Sequence, residues 1–380
     1  MLSTHTSVET RTGKRLISNR QGSHPMNRKK LPMFRNSATA LLCFACSSVL
    51  PGSALAQDDL MARARQEFKP IPTTAPELPG NAATSAKIEL GKMLYFDPRL
   101  SASHSISCNS CHNLGLGAAD AQSTSIGHRW QHGGRNAPTV LNAVFNTAQF
   151  WDGRAKDLEQ QAGGPMVNPV EMASPEAHVA EQLKGIPGYR DVFAKAFPGE
   201  PDPLTLGNVE KAIAVFEATL ITPNAPFDRF LKGEAGALSP VQKAGLKLFM
   251  DKGCSTCHNG INAGGGMYAP FGVVEKPGAE LLPPADKGRF MVTKTPGDEY
   301  VFKVPTLRNI TLTAPYFHTG QAWDLRQAVA VMGASQLGIE LSSDDVDKIT
   351  AFLDSLTGEQ PKVTYPILPP SGAGTPRPEP

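Results

Sequence analysis

Cys108-Asn-Ser-Cys111-His112 and Cys254-Ser-Thr-Cys257-His258 share one spacing, Cys-x-x-Cys-His. That pentapeptide is the attachment site of a c-type haem. The two thiols bond to the haem vinyl groups, and the adjacent imidazole becomes an axial ligand of the iron. Two copies point to two covalently attached haem c groups, and so to electron transfer, redox catalysis or both. Other uses of the cysteines fit less well. Disulfides in an oxidising compartment give no reason for a histidine to follow each pair. A zinc site needs four converging ligands, and the remaining pair, Cys43 and Cys46, lies in a segment that reads as a removed leader.

Each iron needs a sixth ligand, commonly histidine or methionine, and methionine raises the potential. Near the first motif, His128 and His132 lie in a glycine-containing stretch, 126–134. Such a stretch can supply a ligand that also leaves. Near the second motif the candidates are Met267, Met291 and Met332, and the residues alone do not choose among them. Glu171 sits in Val167-Asn-Pro-Val-Glu171-Met, an apolar setting that raises a carboxyl pKa. Gln161 precedes it by ten residues. Glu171 is either an acid–base group or a structural carboxylate. Trp151 is either a core aromatic or a relay between haems.

The elements that position these residues come in pairs. Leu90-Gly-Lys-Met-Leu-Tyr-Phe-Asp97 precedes the first motif and Ala244-Gly-Leu-Lys-Leu-Phe-Met-Asp251 the second. Downstream the match is gapless at an offset of 167 residues: Pro138-Thr139 falls on Pro305-Thr306, Asn142 on Asn309, Phe150 on Phe317 and Gly153 on Gly320. Trp151 thereby takes the slot of His318. Helical periodicity marks 204–220, 239–250 with Ser239-Pro240 as cap and first position, and 342–356, which ends near Gly358. No run alternates like a strand, and 33 prolines with 35 glycines mark long loops. The expected fold is mainly α: two cytochrome c-like haem domains related by an internal repeat, with long loops. They are placed at 57–225 and 239–360, and 361–380 is a proline-rich tail, extended or disordered.

The composition is that of a globular protein, 40% hydrophobic and 19% charged over 380 residues. Residues 27–35 are basic, 40–50 mostly apolar, and Ala54-Leu-Ala56 is a small-x-small signal before Gln57. That is a secretory signal peptide, too short in its apolar run to span a membrane. Residues 1–56 are thus an extension plus a cleaved signal, with translation starting at Met1 or Met26. Eight of the 37 basic residues and one of the 35 acidic ones lie there, leaving 29 and 34 and a net charge of −5. This argues against nucleic acid and suits small basic redox partners.

With Tyr95-Phe-Asp-Pro-Arg-Leu-Ser101, Asn142-Ala-Val-Phe-Asn146, Phe150-Trp-Asp-Gly-Arg154, Gly272-Val-Val274 and Thr313-Ala-Pro-Tyr-Phe-His318, the chain closely resembles the bacterial di-haem cytochrome c peroxidases over roughly residues 85–360. The resemblance implies that His112 and His128 are the axial pair of a low-potential haem where peroxide reacts. It implies His258 and Met332 as ligands of a high-potential haem that accepts electrons. Trp151 then resembles the inter-haem tryptophan, Glu171 the distal acid–base residue, and Gln161 its neighbour in the peroxide pocket. Asn136, Thr313 and Pro315 match ligands of an interdomain calcium, and His318 a histidine between the haems.

Hydrogen peroxide is then the substrate, and the donor is a small cytochrome c or copper protein. The site of action is the periplasm, with no membrane span in the mature chain and a homodimer as the assembly. Rivals are a pure electron-transfer cytochrome, a disulfide-stapled secreted binding protein, and a related di-haem enzyme that oxidises protein-bound tryptophan. The last has a tyrosine haem ligand, where this chain offers His128 and Met332.

Overall fold

The computed structural model describes residues 52–379; the leader call therefore lies largely outside the described residues. The helix Gly52–Glu67 runs through the expected cleavage position.

Each half is built on two crossing helices. They are Ser85–Phe96 and Leu206–Ala218 in the first half, and Pro240–Asp251 and Ser343–Asp354 in the second. Their starts are set locally, because side-chain oxygens of Thr84, Thr205, Ser239 and Ser342 accept the otherwise unpaired N–H groups of Lys87, Asn208, Gln242 and Asp345. The last helix stops at Asp354, short of Gly358, whose N–H donates to Asn309 Oδ1 at 3.2 Å instead.

A glycine sits at each crossing. A Cβ on Gly91 would lie 1.9 Å from the Ala212 carbonyl oxygen and 2.9 Å from Phe216 Cβ; one on Gly245 would lie 1.8 Å from the Lys348 oxygen and 2.9 Å from Phe352 Cβ. The two halves are copies in their closest backbone approach as well as in sequence. Around the first crossing pack Leu90, Leu94, Val209 and Ile213, with Tyr189 and Phe193. Around the second pack Phe227, Phe230, Phe249 and Phe352. Phe68–Phe227 and Phe227–Phe352 meet edge to face at 5.2 Å, and each buried phenylalanine contributes about 1.5–3 kcal/mol.

The chain ends are exchanged between the cores. Met61, Ala64 and Phe68 pack into the second core. The tail runs extended along the first half, where Leu368 packs on its core and Tyr365 lies 4.6 Å from Phe96. Arg99 donates to the Pro369 carbonyl at 2.8 Å, and the Glu379 N–H to Ala102 at 2.8 Å. The stretch read as the boundary folds into a short helix, Pro226–Leu231, with Phe227 and Phe230 fully buried. A linear division at 57–225 and 239–360 does not express this threading.

The seam between the halves is pseudo-symmetric. Asn136 N–H donates to the His318 carbonyl at 2.7 Å, and Lys303 N–H to the Trp151 carbonyl at 2.8 Å. These are the same contact made twice, 167 residues apart. Nδ2 of Asn142 and of Asn309 both donate to Thr222 Oγ1, at 2.7 and 2.9 Å. Arg135 ties Asp152 of its own half, at 2.8 Å, to Asp286 of the other, at 2.6 Å. Among the described residues the one sheet is a pair of short antiparallel strands, Tyr268–Pro270 and Val301–Lys303.

Candidate functional site

The second motif opens onto a cavity of about 100 Å³ lined by Cys254, Cys257, His258 and Met332, with Phe271, Phe302, Phe317 and Leu337 as apolar wall. Met332 projects from the helix Leu325–Leu337. Met267 and Met291 are 37% and 50% exposed and do not line it. Of the three methionines, the fold brings Met332 to His258. Desolvation lowers the His258 pKa to about 4, against the raising effect of the Ala263 and Pro305 carbonyls. The ring is therefore neutral at pH 7, the form that ligates a metal. The four motif cysteines are free. Burial pushes Cys111 and Cys254 up to about 11 and raises Cys108 and Cys257, so all four are neutral thiols. A deep apolar cleft with two thiols, a neutral imidazole and a thioether fits a covalently attached haem.

The first motif forms a one-turn helix, Cys108–Cys111, and His112 N–H donates to the Cys108 carbonyl at 2.9 Å. The His112 carbonyl accepts from Tyr95 Oη at 2.6 Å. Desolvation lowers the His112 pKa, opposed by Asp120 and by the carbonyls of Pro138 and Ala118. Pro138 and Pro305, equivalent in the repeat, thus face equivalent histidines. None of these carbonyls completes a hydrogen bond: Nδ1 of His112, His128 and His258 is buried without a partner.

His128 is the buried histidine of its segment, and His132 is exposed. The segment is a tight loop in which Ile126 bridges to His132 and Gly127 N–H donates to the Gln131 carbonyl at 2.8 Å. Arg129 and Trp130 adopt positive φ, 54° and 62°. His128 N–H donates to the Glu171 carbonyl at 2.8 Å, which docks the loop on the Glu171 turn. Trp130, two residues on, is 84% exposed.

Burial raises the Glu171 pKa, opposed by the Asn168 amide, which donates to Oε1 at 2.7 Å, and by Arg154. The Glu171 charge acts on Cys111, which places the carboxylate near the first motif. Gln161 is half-buried on the helix Leu158–Val167, which leads directly into the Glu171 turn. Trp151 Nε1 donates to the Asn136 carbonyl at 2.9 Å, and its ring lies 6.1 Å from His318 while lining the second cavity. His318 stacks on Phe302 at 4.3 Å, and desolvation lowers its pKa to about 4.

Some polar atoms of the calcium candidates are already taken by protein partners. Asn136 has its carbonyl taken by Trp151 and its Nδ2 by the Gln122 carbonyl at 2.9 Å, which leaves Oδ1. Thr313 Oγ1 donates to the Ile310 carbonyl at 3.2 Å. All three oxygens offered are neutral, and no cluster of three His, Cys, Asp or Glu with metal-holding spacing occurs among the described residues.

Sequence reasoning missed several groups. Lys303 lines the second cavity. Glu217 is 3% exposed with Oε2 unpartnered, and burial raises it to about 8; its charge acts on Tyr95 and Cys108. Extending the repeat to the crossing helices exposes both differences, since Tyr95 and Glu217 stand where the second half has Phe249 and Leu353.

Two mutually facing copies of one haem-binding unit make this a two-domain c-type cytochrome. Residues 85–236 match the family model of di-haem cytochrome c peroxidase and residues 242–357 that of cytochrome c. Cytochrome c551 peroxidase of Pseudomonas aeruginosa is 59% identical over 325 residues, covering 85% of this chain and 94% of that protein. Cytochrome c551 peroxidase of Nitrosomonas europaea is 51% identical, covering 87% and 95%. A solved MauG-like protein associated with microbial copper homeostasis superposes with a TM-score of 0.69 at 27% identity, covering 76% of this chain and 95% of that one. The chain belongs to the di-haem cytochrome c peroxidase family, and with that it is an oxidoreductase of the peroxidase class.

Proposed function

We propose that the enzyme reduces hydrogen peroxide to water in the periplasm with electrons from a small cytochrome c or copper protein. The observation that carries this reading is the inequality of the two sixth positions. Met332 is fixed on a helix inside the second cavity, whereas His128 rides on a short loop docked through the Glu171 carbonyl. A permanently occupied position suits electron entry, and a releasable one suits substrate binding.

In this reading Cys108, Cys111 and His112 hold the first haem, and Cys254, Cys257, His258 and Met332 the second. The haems supply the redox chemistry when bound. Electron entry at the second site would free the His128 loop, and the space it vacates beside Glu171 would admit peroxide. Glu171 takes the proton from the near peroxide oxygen and returns it to the departing one. A pKa raised by burial suits a group that must both accept and donate. Gln161 borders the same pocket, and Trp151 lies on the route between the sites. Two electrons and two protons convert one peroxide to two waters.

Asn136, Thr313 and Pro315 offer neutral oxygens to a calcium ion at the seam, and the assembly is a homodimer. Among the described residues no helix is long and apolar enough to cross a membrane.

The test is peroxide-dependent oxidation of a reduced small cytochrome c by haem-loaded protein with calcium, before and after one-electron pre-reduction. Turnover only after pre-reduction is expected. Turnover in both states removes the His128 gate, and none in either state removes the peroxidase reading in favour of an electron-transfer cytochrome.

A further inference from the structure

The repeat provides an internal control for a residue that the reaction above leaves unused. Lys303 and Asn136 are equivalent, and each sends its N–H across the seam to Trp151 or His318 of the other half. Their side chains differ in kind. Asn136 is neutral, and its amide is bonded to the Gln122 carbonyl. Lys303 is 7% exposed and lines the cavity of Cys254, Cys257, His258 and Met332.

No carboxylate or other acceptor among the described residues pairs with the Lys303 ammonium, and burial, with no charge opposing it, lowers its pKa to about 8. An unpaired buried cation costs several kcal/mol, so its presence needs a counter-charge. The rest of the cavity wall is largely apolar and offers none. A haem brings two propionate carboxylates, its only anionic substituents.

We propose that Lys303 binds a propionate of the second haem and, through its charge, holds that haem's reduction potential above that of the first. This rests on the second haem occupying the Cys254/Cys257 cavity. A positive charge beside a haem favours the reduced state, which carries one more electron. The first site has neutral Asn136 at the equivalent position and lacks this help. Lys303 is also bonded through its backbone to Trp151, so the cation marks the edge of the cavity nearest the other half.

The test is spectroelectrochemical titration of the fully haem-loaded protein with Lys303→Met, Lys303→Gln and Lys303→Arg. The neutral variants are expected to weaken reduction of the second haem on the order of tenfold, as for one charge in a medium of effective dielectric about 20. That is a fall of about 59 mV for one electron. The first haem's potential stays in place, and the Arg variant stays near wild type. An unmoved potential in the neutral variants overturns the proposal, and so does an Arg variant that falls as far as they do, because lost packing would then be the cause. Counting covalent haem per chain in the same samples separates the premise: a wild-type chain with one haem sinks the second site, whereas two haems with an unmoved potential sink only the role of Lys303.

Discussion

Gly127 is the residue through which the gate can be forced. Its φ of −110° is open to any residue, so space alone decides what fits. A Cβ there would lie 2.0 Å from the Val170 carbonyl oxygen and 2.9 Å from Glu171 Cα. Real Cβ atoms essentially never come closer than 3.0 Å, so in Gly127→Ala the loop must withdraw by about 1 Å. The hydrogen bond from His128 N–H to the Glu171 carbonyl, 2.8 Å long, would then stretch past bonding distance. Losing it costs about 1 kcal/mol, and the overpacking adds about 1–3 kcal/mol. At about 1.4 kcal/mol per decade, His128 is seated roughly 30- to 700-fold less firmly.

The assay is the absorption and electron-resonance spectrum of the fully oxidised variant, paired with peroxide turnover without pre-reduction. The expected result is a high-spin signal at the first haem and turnover in the oxidised state, with two covalent haems retained. A variant that keeps the wild-type low-spin spectrum and stays inert until pre-reduced would refute the reasoning, because the seat would be displaced without releasing the ligand.

Other consequences are equally direct. Glu171→Gln is expected to lower peroxide turnover by about 10²–10⁴ while donor reduction of the second haem is unchanged; unaltered turnover removes Glu171 from the proton path. Asp228→Asn strands Arg308, whose pairing at 2.8 Å is fully buried. It is expected to cost about 3–5 kcal/mol, read as a fall in the urea midpoint, and a midpoint within error of wild type contradicts it. Glu217, raised from 4.5 to about 8 by burial, binds a proton in the folded state that the unfolded chain releases. Its contribution is therefore full below about pH 4.5 and is lost as pH rises through about 8. Glu217→Gln carries no such charge, so its stability is expected to draw ahead of wild type across that window; two parallel pH curves would show that Glu217 is charged at no cost.

What was legible in the sequence was local or repeated. Ser239 and Pro240 announce a helix start because cap and first turn are neighbours in the chain. The histidines of the two pentapeptides are fixed beside their cysteines for the same reason. The choice of Met332 over Met267 and Met291 was not legible from the residues themselves, because it depends on how the helix Leu325–Leu337 packs over the second motif. The docking of the tail was hidden too. Its composition reads as extended, and only the fold places the Arg99 guanidinium under the Pro369 carbonyl and Tyr365 on Phe96. Glu217 looks like an ordinary helical carboxylate until the crossing at Gly91 shows its face turned inward.

The seam explains why a duplicated scaffold can give direction to electron flow. Two identical haem units facing each other across a pseudo-twofold would hold two equal potentials, and an electron would have no preferred side. The backbone contacts remain paired, with Asn136 to His318 against Lys303 to Trp151, and so do the side-chain amides of Asn142 and Asn309 on Thr222. The side chains at matched positions are where the pairing is broken. On the proposed reading the second half takes a thioether ligand at Met332, which raises the potential, and a cation at Lys303, which raises it further. Its core beside the haem is Phe249 and Leu353. The first half has histidine on a releasable loop, and Tyr95 and Glu217 in place of that phenylalanine and leucine. On the proposed reading, Met332 and Lys303 are the differences that favour an extra electron on the second haem over the first. In the proposed mechanism the electron is therefore held at the second site until peroxide at the first draws it across, past Trp151, where symmetry would have put a second His318.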